Sequence, residues 1–287
     1  MENFVITTEN AADLPESFIK ENEIGVLSLY YTIDGVTYEE EMPAKTFYQQ
    51  MRNGSMPKTQ QVNPDQAIRR FREILKQGKD ILHISLTSAV SGSYNSACMA
   101  AEELREEFPE RTITVIDTLV GTLAQGMIVD KSVQMKKAGK SLQEITSWIK
   151  ENIPHFCLYA TVDDLKHLYR GGRVSKTTAF LGTAIGIKPI LKLNEEGNLV
   201  PIAKVRGRKQ SIQTLVKYME EHVGSFLKEN DTIYISHGDC EEDAKYLAEL
   251  VKEKFGIMKS MINHIGPVIG SHAGPGALAL SFMGENK

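Results

Sequence analysis

Cysteine is scarce in this chain of 287 residues, and the patterns that cysteine usually serves are missing. The three cysteines, Cys98, Cys157 and Cys240, lie far apart and form neither a CxxC pair nor a metal-ligand spacing. A small, odd number of cysteines fits a reducing compartment better than a disulfide framework. His264 and His272 have no third ligand near them in the sequence, so no metal site is predicted.

The chain also has no long apolar run. Its most apolar stretch, residues 177–187, is too short to cross a bilayer, which takes about 20 residues. The N-terminal segment MENFVITTEN shows neither the basic start nor the apolar centre of a signal peptide. We therefore expect a cytoplasmic protein without stable membrane insertion.

Signatures of nucleotide binding and of several hydrolase classes are absent as well. The sequence contains no Walker A motif, no GxGxxG after a strand, no GxSxG and no HExxH. A stand-alone phosphoryl transferase is therefore disfavoured, and no cofactor is predicted. An acyl hydrolase that uses Ser91 and His272 stays open as an alternative, although two such common residues carry little specificity.

Charge is distributed unevenly along the chain. Hydrophobic residues make up 41% and charged residues 24%, as in ordinary globular proteins, and the net charge of −4 argues against nucleic acid as the main partner. Residues 166–209 hold ten Lys or Arg and two Glu, a net +8 that leaves −12 for the remainder. Such a basic zone suggests an anionic partner or ligand, and a solvated face is the alternative.

Apolar, β-rich runs alternate with helical patterns in the first half of the chain. Strands are predicted at residues 4–7, 26–33, 81–86 and 113–117. Helices are predicted from Pro64 onward and at residues 94–108, 121–138 and 142–152. This alternation favours a parallel sheet with right-handed crossovers.

A second region begins near Phe156, with no linker that fixes the boundary. Strands are predicted at residues 156–162 and 231–237, and a hairpin joins residues 188–194 to 199–205 through the turn EEGN. Helices are predicted at residues 163–169, 176–185, 211–227 and 241–255. Residues 266–276 are interpreted as short strands separated by glycines.

Two turns carry hydroxyl side chains that suit an anion. In ISLTSAVSGSYNSA, residues 84–97, a strand ends, a turn follows and a helix begins, so free backbone N–H groups accompany the hydroxyls of Ser91 and Ser93. A simple helix cap explains these serines about as well. PKTQQVNP, residues 57–64, contains Thr59 and is, taken alone, an ordinary polar loop.

Two further clusters carry basic side chains. In SHAGPG, residues 271–276, His272 is able to donate to a carboxylate, or it is a turn histidine bonded to backbone. In RGGRVSK, residues 170–176, Arg170 and Arg173 suit an anion or a partner's phosphate. The alternative is a helix stop flanked by exposed arginines.

In order and spacing, these motifs resemble the DegV family, the fatty-acid-binding proteins that serve bacterial fatty-acid kinase. The resemblance covers nearly the whole chain. It rests on ADLP (12–15), PKTQQ (57–61), SGSYNSA (91–97), VIDT (115–118), LYRGGRVS (168–175), GIKPIL (186–191) and GPVIGSHAGPG (266–276). No single motif is decisive, but the series is specific.

The resemblance implies an α/β fold of two domains. The N-terminal domain, residues 1–155, is expected to hold a parallel sheet in three layers. The C-terminal domain, residues 156–287, is expected to hold a mixed sheet with helices. The ligand tunnel is expected at or near the interface between the two.

The resemblance also implies a carrier that is not an enzyme by itself. A long-chain fatty acid lies in the tunnel, and Thr59 and Ser91 hold its carboxylate, with Ser93 and His272 as further members of the site. A separate fatty-acid kinase phosphorylates the carboxylate to an acyl phosphate. We expect Arg170 and Arg173 to contact that kinase or its phosphate.

The chain departs from the family pattern at several positions. The family's ITDST reads ITTEN at residues 6–10, and its TSQP loop reads TQQV at residues 59–62. SGTY reads SGSY, so the hydroxyl at Ser91 is kept. The length and unsaturation of the acyl chain do not follow from these motifs.

Overall fold

The computed structural model describes residues 3–163, 165–175 and 186–287. The strands are β1 (Phe4–Glu9), β2 (Gly25–Leu27), β3 (Tyr30–Ile33), β4 (Val36–Tyr38), β5 (Lys58–Gln60), β6 (Asp80–Ser85), β7 (Ile113–Asp117), β8 (Phe156–Thr161), β9 (Ile187–Leu193), β10 (Leu199–Arg206), β11 (Thr232–His237), β12 (Lys259–His264) and β13 (Leu278–Met283). The α-helices are α1 (Glu16–Glu21), α2 (Ala44–Arg52), α3 (Pro64–Leu75), α4 (Ser93–Glu107), α5 (Thr122–Lys137), α6 (Leu142–Asn152), α7 (Lys166–Arg170), α8 (Arg208–His222), α9 (Glu241–Phe255) and α10 (Pro267–Ala273). Within these ranges, no helix has the length and apolar character needed to span a membrane.

Two large sheets carry the fold. Strands β2, β1, β6 and β7 lie in that order in a parallel sheet. Strands β10, β9, β8, β13, β11 and β12 lie in that order in a mixed sheet, in which β9 and β10 form the predicted hairpin. The α/β class with one parallel and one mixed sheet is therefore confirmed. The domain boundary at residue 155 stays a prediction.

Local sequence signals explain where several helices begin. Helix α3 begins with Pro64, and the side chain of Asn63 accepts the backbone N–H of Asp65 at 2.9 Å. Helix α6 begins with a capping box, in which Ser141 and Glu144 accept each other's backbone N–H groups. These end signals fix the helix starts because they satisfy N–H groups that lack partners within the helix.

Helix α5 lies between the two sheets. It contacts β1 and β6 of the parallel sheet and β8, β11 and β13 of the mixed sheet. Eleven of its residues are buried, which is typical of a helix that is enclosed by protein. One hydrophobic cluster joins its apolar residues to Phe4 on one side and Phe156 on the other. The main core therefore lies between the sheets.

A small unit, which we call the cap unit, spans residues 30–60. Strands β4, β3 and β5 form its antiparallel sheet, and Tyr31, Phe47 and Tyr48 form its own hydrophobic core with α2. The Tyr48 hydroxyl donates to the Ile265 carbonyl at 2.7 Å, just before α10. The cap unit thereby attaches β5, which carries Thr59, to α10. The helical and strand patterns used above did not predict this unit.

Two sequence predictions are wrong. Residues 26–33 are not one strand, because the side chain of Asn10 binds both backbone groups of Leu29 and interrupts the strand between β2 and β3, which join different sheets. Residues 266–276 do not form short strands. Pro267 occupies the first turn of α10, and Gly274, with a φ of 81°, ends it.

Other boundaries shift less. The helix expected at residues 163–169 is α7, and the helix expected at residues 211–227 begins earlier as α8 and ends at His222 before a 3₁₀ turn at Gly224–Glu229. The helix predicted at residues 176–185 lies outside the described residues. Strand β12 was not predicted from the sequence.

A buried polar network joins the carboxyl ends of β1 and β6 to α5. The Glu9 carboxylate accepts from Ser85 Oγ at 2.6 Å, from the Leu86 N–H at 3.0 Å and from Gln125 Nε2 at 2.6 Å. His83 Nε2 lies 3.2 Å from the same carboxylate, and both side chains are fully buried. Burial by itself raises the pKa of Glu9, but the charge of His83 and these donors together lower it. The network holds the loop that begins at Leu86.

We predict that Glu9→Ala lowers the free energy of unfolding by about 3–5 kcal/mol, because it leaves buried donors without an acceptor. Since the folded pKa of Glu9 is lowered, this stabilisation is lost as the pH falls below the ordinary glutamate value of 4.5. Denaturant unfolding measures both effects. Glu16→Ala is the control, because Glu16 is exposed and forms an ion pair with the exposed Lys20, and it should change stability little. Equal losses in the two variants would contradict the role of the network.

Candidate functional site

A cavity of about 450 Å³ lies at the carboxyl ends of the parallel strands, between the two sheets. The loop after β6, the start of α5, strands β8, β9 and β13, and helix α10 contribute to its wall. Its wall is mainly aliphatic, and the larger apolar members are Leu29, Leu86, Leu158, Val162, Leu168, Leu191, Leu193, Leu199, Ile265, Val268, Ile269 and Leu278. Its position matches the place where α/β sheets usually bind ligands.

Polar side chains meet at one end of this cavity. They come from segments far apart in the sequence: Thr59, Gln61, Ser91, Arg173 and His272. Contacts link them in a chain. Gln61 packs against Gly92 so closely that a Cβ atom there would collide with it, and His272 packs in the same way against Gly171. We call this group the polar end.

His272 and Thr59 form the central pair of the polar end. Thr59 Oγ1 lies 2.8 Å from His272 Nε2, so α10 and β5 meet here. Burial, and then the charge of Arg173, lower the pKa of His272 to about 4, and the ring is therefore neutral near pH 7. Its Nδ1 is buried and has no hydrogen-bond partner among the described residues. The pair keeps polar capacity for a ligand.

Ser91 and Ser93 have different places. Ser91 lines the cavity. Its Oγ also accepts the N–H of Ser93 at 3.2 Å, at the start of helix α4. Ser93 is fully buried behind Ser91. The Ser93 Oγ accepts the N–H of Val62 at 3.1 Å and lies 2.9 Å from the Ser91 Oγ. Ser93 therefore positions Ser91 and the Thr59 loop, whereas Ser91 faces the cavity.

Arg173 supplies the positive charge of the polar end. Its guanidinium donates to the Val90 carbonyl at 2.7 Å and to the carbonyl of Gly171. Burial lowers the pKa of Arg173, and within the described ranges no carboxylate pairs with it. A half-buried guanidinium without a counter-ion favours a bound anion, and its planar fork matches a carboxylate.

Arg170 lies apart from Arg173, outside the cavity. It is exposed, and its guanidinium contacts Met56 Sδ at 2.6 Å and His167 Nδ1 at 3.1 Å. It lines a second pocket of about 360 Å³, to which Lys58 and His167 also contribute. This outer pocket shares three wall residues with the cavity: Thr59, Arg173 and His272. The polar end therefore separates an apolar interior from a basic exterior.

The arrangement does not form a hydrolase triad. Among the described residues, Ser91 and His272 share no hydrogen bond, because Ser91 contacts Ser93 and His272 contacts Thr59. Asp117 accepts backbone N–H groups from the loops after β6 and β7 instead of orienting a histidine. The geometry suits binding of an anion better than nucleophilic attack.

The structure brings together residues that belong to separate sequence motifs. Thr59, Ser91 and His272 lie together at the polar end, and their role as ligand-binding residues stays a prediction. Arg173 and Arg170 belong to one sequence motif, RGGRVSK, whereas the structure places only Arg173 beside the hydroxyls. Gln61 was noted only as part of a polar loop, and no local pattern indicates that this loop folds over Gly92. The outer pocket has no sequence signature of its own.

Two sheets around a mainly aliphatic cavity with one polar end define an α/β protein with an amphipathic pocket. The family model described as "Uncharacterised protein, DegV family" matches residues 3–285. The chain is 45% identical to a DegV domain-containing protein of Clostridium perfringens, over 100% of this chain and 99% of that protein. It is 36% identical to one of Caldanaerobacter subterraneus, over 98% and 99%. The chain belongs to the DegV family.

Solved structures give the same assignment. A DegV family protein from Thermus thermophilus, described as binding fatty acid, aligns with a TM-score of 0.87 and 28% identity, over 98% of this chain and 99% of that chain. DegV of Bacillus subtilis, described as a fatty acid binding protein, aligns with a TM-score of 0.84 and 27% identity, over 99% and 100%. Fatty-acid binding is thus a property of DegV family structures, and the family predicted from the motifs is confirmed.

We predict that His272→Gln loses less stability than wild type as the pH becomes acidic. The pKa of His272 is about 4 in the folded protein, and the ordinary histidine value is 6.5. Between these two pH values the unfolded chain binds the proton and the folded protein does not, so unfolding is favoured as the pH falls. Denaturant unfolding at a series of pH values should show wild type and variant differing by a constant amount above about pH 7, and converging or crossing below it. Parallel curves throughout would contradict a neutral buried His272.

Proposed function

We propose that this protein binds a long-chain fatty acid in the cavity, with the carboxylate at the polar end, and acts as a carrier. One observation carries the proposal: an apolar cavity ends at a half-buried arginine that, among the described residues, has no counter-ion. Hydroxyls of Thr59 and Ser91 and the His272 ring lie beside it. A fatty acid has the matching apolar tail and single negative charge.

Simple energetics supports this ligand. Each methylene transferred from water into an apolar wall contributes about 0.8 kcal/mol, so the tail supplies most of the affinity. The carboxylate needs donors and a positive charge, because an unpaired buried charge costs several kcal/mol. Arg173 supplies the charge, and Thr59, Ser91 and His272 supply hydrogen bonds. Ser93 acts through Ser91.

We also propose that a separate kinase phosphorylates the bound acid at the outer pocket. A carboxylate oxygen attacks the γ-phosphorus of ATP, the bond to ADP breaks, and an acyl phosphate forms. The sequence has no nucleotide-binding motif, so the partner supplies the ATP site. Lys58, His167 and Arg170 in the outer pocket suit incoming phosphate oxygens. The outer pocket shares Thr59, Arg173 and His272 with the cavity, so a carboxylate held by these residues would lie at the opening through which the phosphate approaches.

Fatty-acid binding is tested on delipidated protein. Thr59→Ala and Ser91→Ala should each weaken binding by about 1–3 kcal/mol, the value of a hydrogen bond to a charged group. Arg173→Met should weaken it more, because the charge is then unpaired. Calorimetric titration with a long-chain acid measures the dissociation constants, and Arg170→Met is the control that should bind like wild type. A micromolar dissociation constant corresponds to a binding free energy of roughly −8 kcal/mol. If wild type shows no saturable binding at micromolar concentrations, the carrier function is wrong.

The kinase role is tested by Arg170→Glu. This variant should keep its fatty acid but form acyl phosphate more slowly with ATP and the matching kinase, because charge reversal repels the incoming phosphate. The wild-type rate should fall as salt rises, since exposed charges are screened within about 10 Å at 0.1 M salt. Lipid content is measured in parallel by mass spectrometry. Full activity of the variant would assign Arg170 to the solvated surface.

A further inference from the structure

We propose that the β9–β10 hairpin sets the length of the acyl chain that the cavity accepts. Leu193 ends β9 and Leu199 begins β10, and both line the cavity together with Leu158 of β8. These leucines form a stop against which the methyl end of the acyl chain lies. The inference rests on the proposed fatty-acid binding and adds the residues that determine which acid is preferred.

Strand β8 shows that this wall lies at the far end. Leu158 and Ala160 of β8, and Val162 just after its end, alternate along the chain and all line the cavity. Val162 packs in a cluster with Leu168 and Val174, next to Arg173 and the polar end. Leu158, four residues away, packs instead in the core around α5. Four residues of strand span roughly 13 Å, so the cavity extends that far from the polar end.

On the neighbouring strand, Leu193 also lies toward the far end of the cavity. Strands β8 and β9 are antiparallel, with Ala160 opposite Leu191. Leu191 belongs to the cluster near the polar end, whereas Leu193 belongs to the core that contains Leu158. Two residues on the same face of one strand therefore contact different parts of the ligand. They form a matched pair for an experiment.

The hairpin is held in place, so its leucines form a firm stop. The Gly197 carbonyl in the turn accepts the Thr87 hydroxyl at 3.3 Å. Gly197 has a φ of 78°, and a Cβ atom there would collide with Thr87 Oγ1 and lie 3.1 Å from Leu119 Cα. Asn194 accepts the N–H groups of Glu196 and Asn198 through its side chain, which stiffens the turn. The turn is thus pressed against loops of the first half of the chain.

A firm stop gives a specific dependence on chain length. Affinity rises by about fourfold for each methylene that finds room in the cavity. It stops rising, or falls, once the methyl end reaches the leucines, because packed interiors do not yield without strain. A smaller side chain at the stop should move this maximum to longer acids, and a larger one should move it to shorter acids.

The experiment measures dissociation constants for straight-chain saturated fatty acids that increase by two carbons. Leu193→Ala should move the preferred length upward and Leu193→Phe should move it downward, with changes of tenfold or more in the ratio of long to short acids, roughly the value of two methylenes. Leu191→Ala, on the same face nearer the polar end, should weaken binding of all lengths alike. Leu199→Ala, at a half-buried position, repeats the test should Leu193→Ala fold poorly.

The outcomes separate the two proposals. A shift in opposite directions for Leu193→Ala and Leu193→Phe supports the stop. Equal changes at every length in the Leu193 and Leu199 variants, with wild type still binding, overturn the stop and leave fatty-acid binding standing. No saturable binding by wild type at any length overturns fatty-acid binding itself, and the stop with it.

Discussion

The enclosure of helix α5 between two sheets is the constraint on which the rest of the structure depends. The helix is buried on nearly all sides, so each sheet has to present a complementary apolar face. Two side-chain hydrogen bonds set its position. Gln125 donates to Glu9 of the parallel sheet, and Asp130 accepts from the Tyr234 hydroxyl of the mixed sheet at 2.6 Å. Its first residue, Thr122, and the preceding Gly121 then lie at the cavity wall. The same packing that stabilises the core therefore positions the site.

The cavity exists because this packing is incomplete where the parallel strands end. Part of the space there is lined by small residues such as Ala160, Ala277 and Ala279. The cap unit closes one side of it, held to the second half of the chain by the hydrogen bond from Tyr48 to Ile265. An interior gap of this kind is apolar and favours an apolar ligand.

Electrostatics decides which end of the ligand lies where. Arg173 is the charged group of the cavity wall, and its charge is one reason, after burial, why the pKa of His272 is low. A bound anion would compensate Arg173 and favour protonation of His272, so ligand binding and the charge of the site are linked. The lysine and arginine of the outer pocket add positive charge on the other side of the same wall. In the proposed complex, this field would orient the carboxylate toward the exterior.

The sequence by itself determined the alternation of strands and helices, most helix boundaries, and the hydroxyl and histidine motifs, because these follow from local periodicity, capping residues and turn chemistry. Residues 26–33 and 266–276 were misread, since a side chain from Asn10 interrupts the first and Pro267 starts a helix in the second. Only the tertiary structure decided that Arg173 joins the hydroxyls and that Arg170 does not. The two arginines are three residues apart around Gly171 and Gly172, and the direction of each side chain depends on contacts with carbonyls and loops distant in sequence. Local sequence patterns do not predict such contacts, because only long-range packing brings the contacting residues together.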